Sequence, residues 1–282
     1  MRYLFVLLCL FFQIAYGFEK VHYHLENDPI DVLILCTEKD LPTLDLCIDG
    51  IRKNGEGVRR VIVLSPRQLT DKAEWFDEKN YPFTPFDLAM EIFGNEEQAR
   101  SFTSSGSRVG WIYQQLLKLY APFVIPDISS NILILDADVI FLNRVSFLGS
   151  SGEGLYNPGF EYHAPYFGHM GRLIPGLKKV FPADSGICHH MLFQRSVLED
   201  LLSTIESIHH VEAWKAFCRC IDHKWVHWSS MSEYEIYFNF VFTRSDQMQI
   251  RPLKWAERTQ VAHLARLQRE RYTFACCHSW CR

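Results

Sequence analysis

The sequence predicts an α/β fold in which a mostly parallel central sheet is flanked by helices within a single domain. Residues 31–37 and 58–65 are short apolar runs rich in β-branched side chains, which is typical of strands buried on both faces. Between them, residues 41–53 carry apolar side chains at helical spacing, and Gly55 follows. A strand–helix–strand order forms a βαβ unit, which requires parallel strands and a right-handed crossover.

The rest of the chain continues this alternation of helices and strands. Residues 107–120 are predicted to form a helix that Pro122 ends. The very apolar residues 131–142 are predicted to contain a buried strand that ends in two acids, Asp136 and Asp138, before an apolar continuation. The other expected elements, in chain order, are a short helix within 87–100, a glycine-rich loop over 149–159, a strand over 162–167, a β-like run over 184–193, a helix to about 208 opened by a capping box at Ser196 and Glu199, an aromatic helix opened by a capping box at Ser232 and Glu235, and a last strand over 272–278.

Composition and charge limit the class of protein. The 282 residues are 48% hydrophobic and 22% charged, which suits a globular chain with an ample core. The formal net charge is -4, so bulk electrostatics give no reason to expect nucleic acid as a partner. No linker rich in proline or glycine divides the chain, and we therefore expect residues 18–282 to form one domain.

Residues 1–17 have the pattern of a secretory signal peptide. Arg2 supplies a positive start, residues 3–14 are almost wholly apolar, and Ala15 and Gly17 are small residues at the positions that signal peptidase reads. The apolar run is shorter than the ~20 residues that span a bilayer, which favours a cleaved signal over a membrane anchor. We therefore expect export, as a secreted, periplasmic or secretory-lumen protein, with membrane contact only if the segment stays uncleaved.

Cysteine content is consistent with an exported chain. Of nine cysteines, eight remain once Cys9 is removed with the signal, and an even number permits disulfides. The bridge candidates are Cys218, Cys220, Cys276, Cys277 and Cys281. Cys36 lies within an apolar strand and is expected to be a small buried hydrophobe. Neither cluster has the paired C-x-x-C spacing of a zinc site, and the pairing of the bridges stays open.

Two acids interrupt the apolar run 131–142. Asp136 and Asp138 are separated by Ala137 alone, and residues i and i+2 of an extended strand face the same side. Carboxylates so placed repel each other unless a cation lies between them. A hard divalent ion does so and also binds phosphate oxygens, and the carboxyl end of a central strand is where open α/β sheets bind ligands. We therefore predict that both aspartates bind Mn²⁺ or Mg²⁺ on a diphosphate; the alternative is that they begin a loop.

Five segments, in this order, carry a resemblance to known enzymes: residues 33–37, 110–118, 133–138, 185–191 and 232–237. The third segment resembles the D-x-D motif of GT-A glycosyltransferases, and the whole is similar to a poorly characterised family of D-x-D glycosyltransferases within that fold. The resemblance extends from about residue 30 to the C-terminus. It implies a GT-A-like (Rossmann-like) sheet, with a nucleotide-binding half at about 30–145 and an acceptor-binding half at about 146–282.

The resemblance also implies roles for individual residues. Asp136 would lie near the ribose or the metal, and Asp138 would bind the metal directly. His278 would be the third metal ligand, with His263 as the second choice. The residues implied in contacts with the nucleotide, the sugar or the cleft between donor and acceptor are Thr37, Gln114, Lys118, Ser185, Gly186, His189 and His190.

Several of these residues also have structural explanations. Thr37 is equally suited to capping the turn after the first strand. A helical lysine such as Lys118 is usually solvated, and His189 and His190 are equally suited to packing. These alternatives stay open at the level of sequence.

An inverting glycosyltransferase needs a carboxylate that deprotonates the acceptor hydroxyl. Glu233, Asp184 and Glu235 are the candidates. Glu235 already has an explanation in the capping box with Ser232, so Glu233 is the first choice. The residues do not decide between retention and inversion.

The sequence thus predicts a metal-dependent glycosyltransferase that moves a sugar from a UDP- or GDP-sugar to a glycan, protein or lipid acceptor. A nucleotidyltransferase would normally need a glycine-rich loop after the first strand, and residues 37–42 contain no glycine. A catalytically silent carbohydrate-binding or interaction protein suits the 14% aromatic content equally well. The retained acids disfavour it, since a buried carboxylate pair without a neutralising ion lowers stability. A hydrolase is disfavoured because acids one residue apart suit a shared ion better than opposite faces of a sugar ring.

Overall fold

Strands and helices alternate along residues 18–104 and 107–278, the parts of the chain that the computed structural model describes. The strands are β1 (Ile30–Leu35), β2 (Val58–Ser65), β3 (Glu74–Asp77), β4 (Asn131–Asp136), β5 (Val139–Phe141), β6 (Leu155–Tyr156), β7 (His190–Gln194), β8 (Gln249–Ile250), β9 (Trp255–Ala256) and β10 (Phe274–Cys276). The α-helices are α1 (Leu41–Asn54), α2 (Pro85–Phe93), α3 (Glu96–Thr103), α4 (Val109–Val124), α5 (Ala164–Leu173), α6 (Arg195–His209), α7 (Ala213–Arg219), α8 (Glu233–Arg244) and α9 (Leu264–Arg269). The predicted signal peptide, residues 1–17, lies outside the described residues.

The central sheet has five strands in the order β3-β2-β1-β4-β7. β1 pairs in parallel with β2 and β4, β2 pairs in parallel with β3, and β7 is antiparallel to β4. The predicted mostly parallel sheet flanked by helices is therefore confirmed. The strand order reverses between β1 and β4, and Leu35 is paired with Asp136 at the carboxyl ends of these two strands. Open α/β sheets bind ligands at such a switch point.

Both faces of the sheet are covered, as expected for parallel strands. Along β1, Val32 and Ile34 pack with Ile48 and other residues of α1 in one apolar cluster. Leu33, on the opposite face, packs in a larger cluster with residues of α4, α6 and α8, such as Leu116. The alternation follows from the two-residue repeat of a strand. Within the described residues, none of the helices is long and apolar enough to cross a membrane.

The apolar run 131–142 forms two strands. The predicted buried strand ends at the acids, but only Asp136 belongs to it, so the expectation of an extended backbone through both aspartates is wrong. β4 ends at Asp136, Ala137 and Asp138 form a turn, and β5 begins at Val139. β5 belongs to a second sheet of order β5-β10-β9, in which it is antiparallel to β10. The chain can change sheets here because both strands are buried and equally apolar, and the polar pair marks the turn between them.

The β5–β10 pairing brings the end of the described chain to the central sheet. Phe274 pairs with Phe141 and Cys276 pairs with Val139. The backbone N–H of Cys277 then donates to the carbonyl oxygen of Asp138 at 2.8 Å. The predicted last strand is thus confirmed, and the residues that follow it lie beside the turn after β4.

Two helix boundaries differ from the expectation. Residues 87–100 hold parts of two helices, α2 and α3, because Gly94 adopts a left-handed conformation (φ 61°) that ends α2. Asn95 then caps α3 by accepting a bond from the backbone of Gln98. Pro122 lies inside α4, and the helix continues to Val124. A proline so near the end of a helix removes one hydrogen bond, and the buried face of α4 keeps the last turn in place.

Two further expectations on secondary structure are wrong. The expected strand over 162–167 is instead the start of α5, which Pro165 suits because a proline is tolerated in the first helical turn. The capping box at Ser196 and Glu199 is absent: α6 begins directly after β7, with Gln194 at its N-cap and no side-chain capping bond. By contrast, Ser232 caps α8, and its hydroxyl accepts from the backbone N–H of Glu235.

Cys218 and Cys220 are buried free thiols, so the bridge expected through them is absent from this structure. Cys36 is buried, as predicted for a small hydrophobe, and burial raises the pKa of its thiol to about 12. Cys281, a member of the other predicted cluster, lies outside the described residues.

Candidate active site

A cleft of about 260 Å³ opens at the carboxyl ends of β1 and β4, between α4 and the start of α8. Its lining side chains with charge or hydrogen-bonding capacity are Lys39, Asp40, Trp111, Gln114, Gln115, Lys118, Asp136, Asp138, Glu161, Tyr166, His189, Ser232, Glu233, Tyr234 and His278. The predicted site residues among them are Gln114, Lys118, Asp136, Asp138, His189, Glu233 and His278. The fold therefore brings to one cleft seven of the fourteen predicted residues, a total that includes His263.

Asp136 lies at the centre of a hydrogen-bond network. Its Oδ1 accepts from the Lys118 ammonium at 2.9 Å and from the Tyr234 hydroxyl at 3.2 Å, and its Oδ2 lies 3.4 Å from Nδ1 of His189. Burial opposes ionisation of this carboxyl, but the attraction of Lys118 and the contact with His189 outweigh it, and the pKa of Asp136 lies well below its usual range. Protein groups thus compensate the charge of Asp136 without an ion.

Lys118 is buried between two carboxylates, so its explanation as a solvated helix residue is wrong. Its side chain is only 4% exposed, and Nζ lies 2.7 Å from Oε1 of Glu233. Burial disfavours the ammonium, yet Asp136 and Glu233 outweigh burial and raise the pKa of Lys118. Glu233 is equally buried, and burial raises the pKa of its carboxyl despite Lys118. Through these two ion pairs, Lys118 links α4 to the end of β4 and to the start of α8.

Asp138 contacts a histidine from the far end of the chain. Nδ1 of His278 lies 2.8 Å from Oδ2 of Asp138, although 140 residues separate the two in sequence. The pairing of β5 with β10 produces this contact, because Asp138 precedes β5 and His278 follows β10. The two residues were both predicted from the sequence to bind a common ion.

A second histidine of the cleft, His189, lies beside His278, and a glutamate outside the cleft lining, Glu257, lies close to both. The rings of His189 and His278 have centroids 4.9 Å apart. One ligand atom from each of His189, Glu257 and His278 lies within 4.8 Å of the other two. Among the described residues, this is the one set of three metal-ligating side chains that meets this spacing. His189 adopts a left-handed backbone (φ 65°), a conformation that costs a non-glycine residue energy and is concentrated at functional sites.

Thr37, Asp184 and His263 are predicted residues that do not line this cleft. Thr37 is exposed, and its hydroxyl lies 3.2 Å from Oδ2 of Asp40; it makes no side-chain capping bond to the following turn. Asp184 is half-buried and does not line the cleft. His263, the second choice of metal ligand, is exposed in the turn Val261–His263.

Ser185 and Glu235 form a buried polar pair that links the loop before β7 to α8. The Ser185 hydroxyl donates to Oε1 of Glu235 at 2.5 Å, and the Asn239 amide donates to Oε2 at 2.9 Å. Burial is the main cause of the raised pKa of Glu235. The carboxylate of Glu235 therefore supports packing beneath the cleft, and it takes no part in the expected reciprocal capping bond to Ser232.

Gly186 and His190 also lie in the core. A Cβ atom at Gly186 would lie 2.6 Å from Cβ of Phe238, so only glycine fits against α8 at this point. The His190 ring packs edge-on against Phe141 and Phe274, and burial lowers its pKa to about 3. The structural explanation of His190, that it packs, thus has support in its contacts.

Sequence reasoning missed Trp111 and Tyr234, which line the cleft, and Glu257, which lies beside its two histidines. Trp111 precedes Gln114 and Lys118 by three and seven residues, so the helical repeat on α4 could have indicated it. Tyr234 lies between Glu233 and Glu235, two of the predicted carboxylates. The Lys118 ammonium lies over its ring, with Nζ 4.5 Å from the ring centroid. Glu257 follows the two-residue strand β9 and carries no periodic signal.

The fold and the site define an α/β protein with a cleft of carboxylates, histidines and a buried lysine at the switch point of its sheet. Residues 59–266 match the family described as "Family of unknown function (DUF6492)", and the chain belongs to this family. No curated protein matches the chain. Among solved structures, the apo form of mouse xyloside xylosyltransferase 1 matches with a TM-score of 0.40 and 10% sequence identity, over 88% of this chain and 97% of that chain.

Proposed function

We propose that the protein is a glycosyltransferase that uses a nucleotide-sugar donor together with a divalent cation. The observation that carries the proposal is the contact of Asp138 with His278 in the cleft beside β1 and β4. The D-x-D resemblance predicts these two residues as ligands of one ion, and they meet across 140 residues of sequence. The switch point of the sheet is also a usual place for a nucleotide.

The side chains around Asp138 fit a divalent cation. Carboxylate oxygens suit Mg²⁺ and Mn²⁺, and the presence of an imidazole favours Mn²⁺. When bound, the ion would supply stabilisation of the charge that develops on the leaving diphosphate. Because Lys118 and Tyr234 already compensate Asp136, we assign Asp136 to the ribose or sugar of the donor.

Glu233 is the candidate base of the three carboxylates considered, since it alone among them lines the cleft. Its raised pKa, caused chiefly by burial, makes it a stronger proton acceptor. Lys118 holds one of its oxygens, which fixes the orientation of the other. The donor classes proposed are UDP- and GDP-sugars, with a glycan, protein or lipid as acceptor, in a protein exported by its N-terminal signal.

A second candidate is a catalytically silent sugar-binding protein. An unneutralised carboxylate pair would argue against a silent site, since a buried charge without a partner is unfavourable. This argument does not apply to Asp136, because its carboxylate is already paired with the Lys118 ammonium. Exposed aromatic side chains beside the cleft suit sugar stacking without turnover: Phe160 is 69% exposed and Tyr162 is 66% exposed, on either side of Glu161.

Thermal unfolding with a panel of nucleoside diphosphates, with and without Mn²⁺, tests the proposed function. We expect one nucleotide to raise Tm, only with the ion present, because a ligand that binds the folded state stabilises it. The Asp138→Asn variant should lose this rise, and Glu97→Gln, a change at an exposed residue of α3, should keep it. A rise that does not need the ion, or none with any nucleotide, would contradict the proposal.

A further inference from the structure

Three metal-ligating side chains from separate elements converge where His189 and His278 line the cleft. His189 precedes β7, Glu257 follows β9 and His278 follows β10. Their ligand atoms all lie within 4.8 Å of one another, so some point between them is within about 2.8 Å of each. Zinc–nitrogen and zinc–oxygen bonds are about 2.0–2.2 Å long, so small side-chain movements would complete coordination.

The two aspartates of the D-x-D motif each contact one of these imidazoles. Asp138 lies 2.8 Å from Nδ1 of His278, and Asp136 lies 3.4 Å from Nδ1 of His189. Metal-bound histidines commonly donate the other ring N–H to a carboxylate, which fixes the tautomer and the direction of the ring. A proton held on Nδ1 by each aspartate places the lone pair of each ring on Nε2.

We propose that His189, Glu257 and His278 bind a divalent transition-metal ion, through Nε2 of each imidazole and a carboxylate oxygen, and that Asp136 and Asp138 position the two rings. The ion proposed here is the divalent cation of the proposed function. The inference rests on that function only in one respect, namely that the bound ion would also contact a diphosphate. Ion binding by the three side chains itself needs no nucleotide. Asp136 and Asp138 are then positioning residues, in contrast to their predicted role as direct ligands; the proposed function needs only an ion beside Asp138 and His278, whichever of these side chains bind it.

The ligand chemistry predicts which ions are selected. Two imidazoles and one carboxylate suit Zn²⁺, Co²⁺ and Mn²⁺, whereas Mg²⁺ and Ca²⁺ prefer oxygen ligands alone. Arg258 lies 3.9 Å from Oε1 of Glu257, but its side chain is 67% exposed, so this contact is weak and easily replaced by an ion. The stacked rings of Trp255 and Phe274 form one wall next to His189.

Titration of the metal-stripped full chain with Co²⁺, followed by visible absorption, tests this inference without nucleotide or turnover. We expect bound Co²⁺ to give d–d bands typical of nitrogen and oxygen ligands. Glu257→Gln and His189→Gln should each weaken binding more than about 100-fold, and Asp138→Asn by about 10- to 100-fold with the bands retained. The matched control is His24→Gln, which removes a histidine whose Nε2 lies 3.0 Å from Glu26 on the surface. Circular dichroism of each variant verifies folding.

The outcomes separate this inference from the proposed function. Unchanged Co²⁺ affinity in Glu257→Gln and His189→Gln, together with loss in Asp138→Asn, would make the aspartates the ligands and overturn the inference while leaving the proposed function intact. Absence of Co²⁺, Zn²⁺ and Mn²⁺ binding without nucleotide would overturn it as well. Ion binding that depends on Glu257, in a protein that binds no nucleotide, would support the inference and contradict only the proposed function.

Discussion

Lys118 is the residue on which the electrostatics of the cleft depend. It is a buried cation whose ammonium lies within 2.9 Å of Asp136 and 2.7 Å of Glu233, two carboxylates from different elements. A buried charge is tolerated only when it is paired and hydrogen-bonded. Removal of the ammonium therefore leaves Glu233 without compensation in a site that water scarcely reaches, whereas Asp136 is 30% exposed and can be hydrated.

The Lys118→Met variant should lower the free energy of unfolding by about 3–5 kcal/mol, because it keeps the apolar stem and leaves a buried carboxylate unpaired. The double variant Lys118→Met/Glu233→Gln should recover part of this loss, since the amide carries no charge. Urea denaturation of the wild type, both single variants and the double variant measures the coupling. Equal losses in Lys118→Met and in the double variant would show that charge compensation is not the reason for the burial of Lys118.

His169 makes the folded protein sensitive to acid far from the cleft. Its Nε2 lies 2.8 Å from the carbonyl oxygen of Phe217 and so carries the proton of the neutral ring, while Nδ1 has no partner among the described residues. Burial lowers the pKa of His169 to about 4. Below about pH 6.5, the ordinary pKa of histidine, His169 binds a proton in the unfolded chain but stays neutral in the folded chain. The free energy of unfolding therefore falls as the pH falls towards 4.

Between pH 6.5 and 4, His169 alone should reduce the free energy of unfolding by about 3 kcal/mol, from a shift of ~2.5 pKa units at 1.36 kcal/mol each. Urea denaturation at several pH values measures the slope. The His169→Gln variant, which keeps a donor for Phe217, should have a shallower slope in this interval. Identical slopes for the two proteins would place the acid sensitivity on other groups.

At the residue scale, the sequence predicts which residues line the cleft better than it predicts which side chains contact one another there. Asp138 and His278 were identified from a motif and from the position of a histidine late in the chain, and the structure places them in contact. Lys118 was identified by resemblance, but its burial depends on α8, whose packing no local pattern reveals. Glu257 was missed because the two-residue strand β9 has no detectable period.

The turn between β4 and β5 is the element that builds the site. An extended backbone through Asp136 and Asp138 would point both carboxylates to one side, which is the basis of the predicted shared ion. Instead, the turn assigns Asp136 to the central sheet and Asp138 to the edge of the second sheet. Hydrophobicity alone could not predict this, because β4 and β5 are equally apolar and the change of sheet depends on the partner β10.

Close packing of α1 on β5 holds this second sheet in place. A Cβ atom at Gly50 would lie 2.9 Å from the carbonyl oxygen of Phe141, a backbone atom that cannot move aside. The Asn54 amide also donates to this oxygen at 2.8 Å. Glycine at position 50 therefore permits the approach of helix and strand, although glycine is normally unfavourable inside a helix.

Gly50→Ala should destabilise the protein by about 1–3 kcal/mol because it forces α1 away from β5. Gly110→Ala is the matched control: it also lies in a helix, but its Cβ would meet no heavy atom of the described residues within 4 Å. Alanine at position 110 should therefore stabilise by about 0.5–1 kcal/mol through helix propensity. Thermal or chemical denaturation measures both changes, and a loss of stability in both variants would contradict the packing argument.

At the scale of the whole molecule, the sequence predicts the sheet and its ligand-binding edge. The βαβ unit and the buried strand β4 are local signals, and they suffice for the parallel order around β1. The sheets that follow β4 were not predicted, since β6, β8 and β9 have two residues each and are formed by long-range pairing. The cleft depends on both parts: the central sheet supplies Asp136, and the second sheet brings His278 to Asp138.

Release of nucleoside diphosphate from a panel of UDP- and GDP-sugars, measured with Mn²⁺ and after chelation of the ion, tests the central claim most directly. We predict release from at least one donor by the wild type, loss of release on chelation, and a reduction of at least about 100-fold in Asp138→Asn, with Glu97→Gln unchanged. Release that persists after chelation, or a nucleotide that binds the cleft while no nucleotide sugar is ever turned over, would contradict the assignment as a metal-dependent glycosyltransferase.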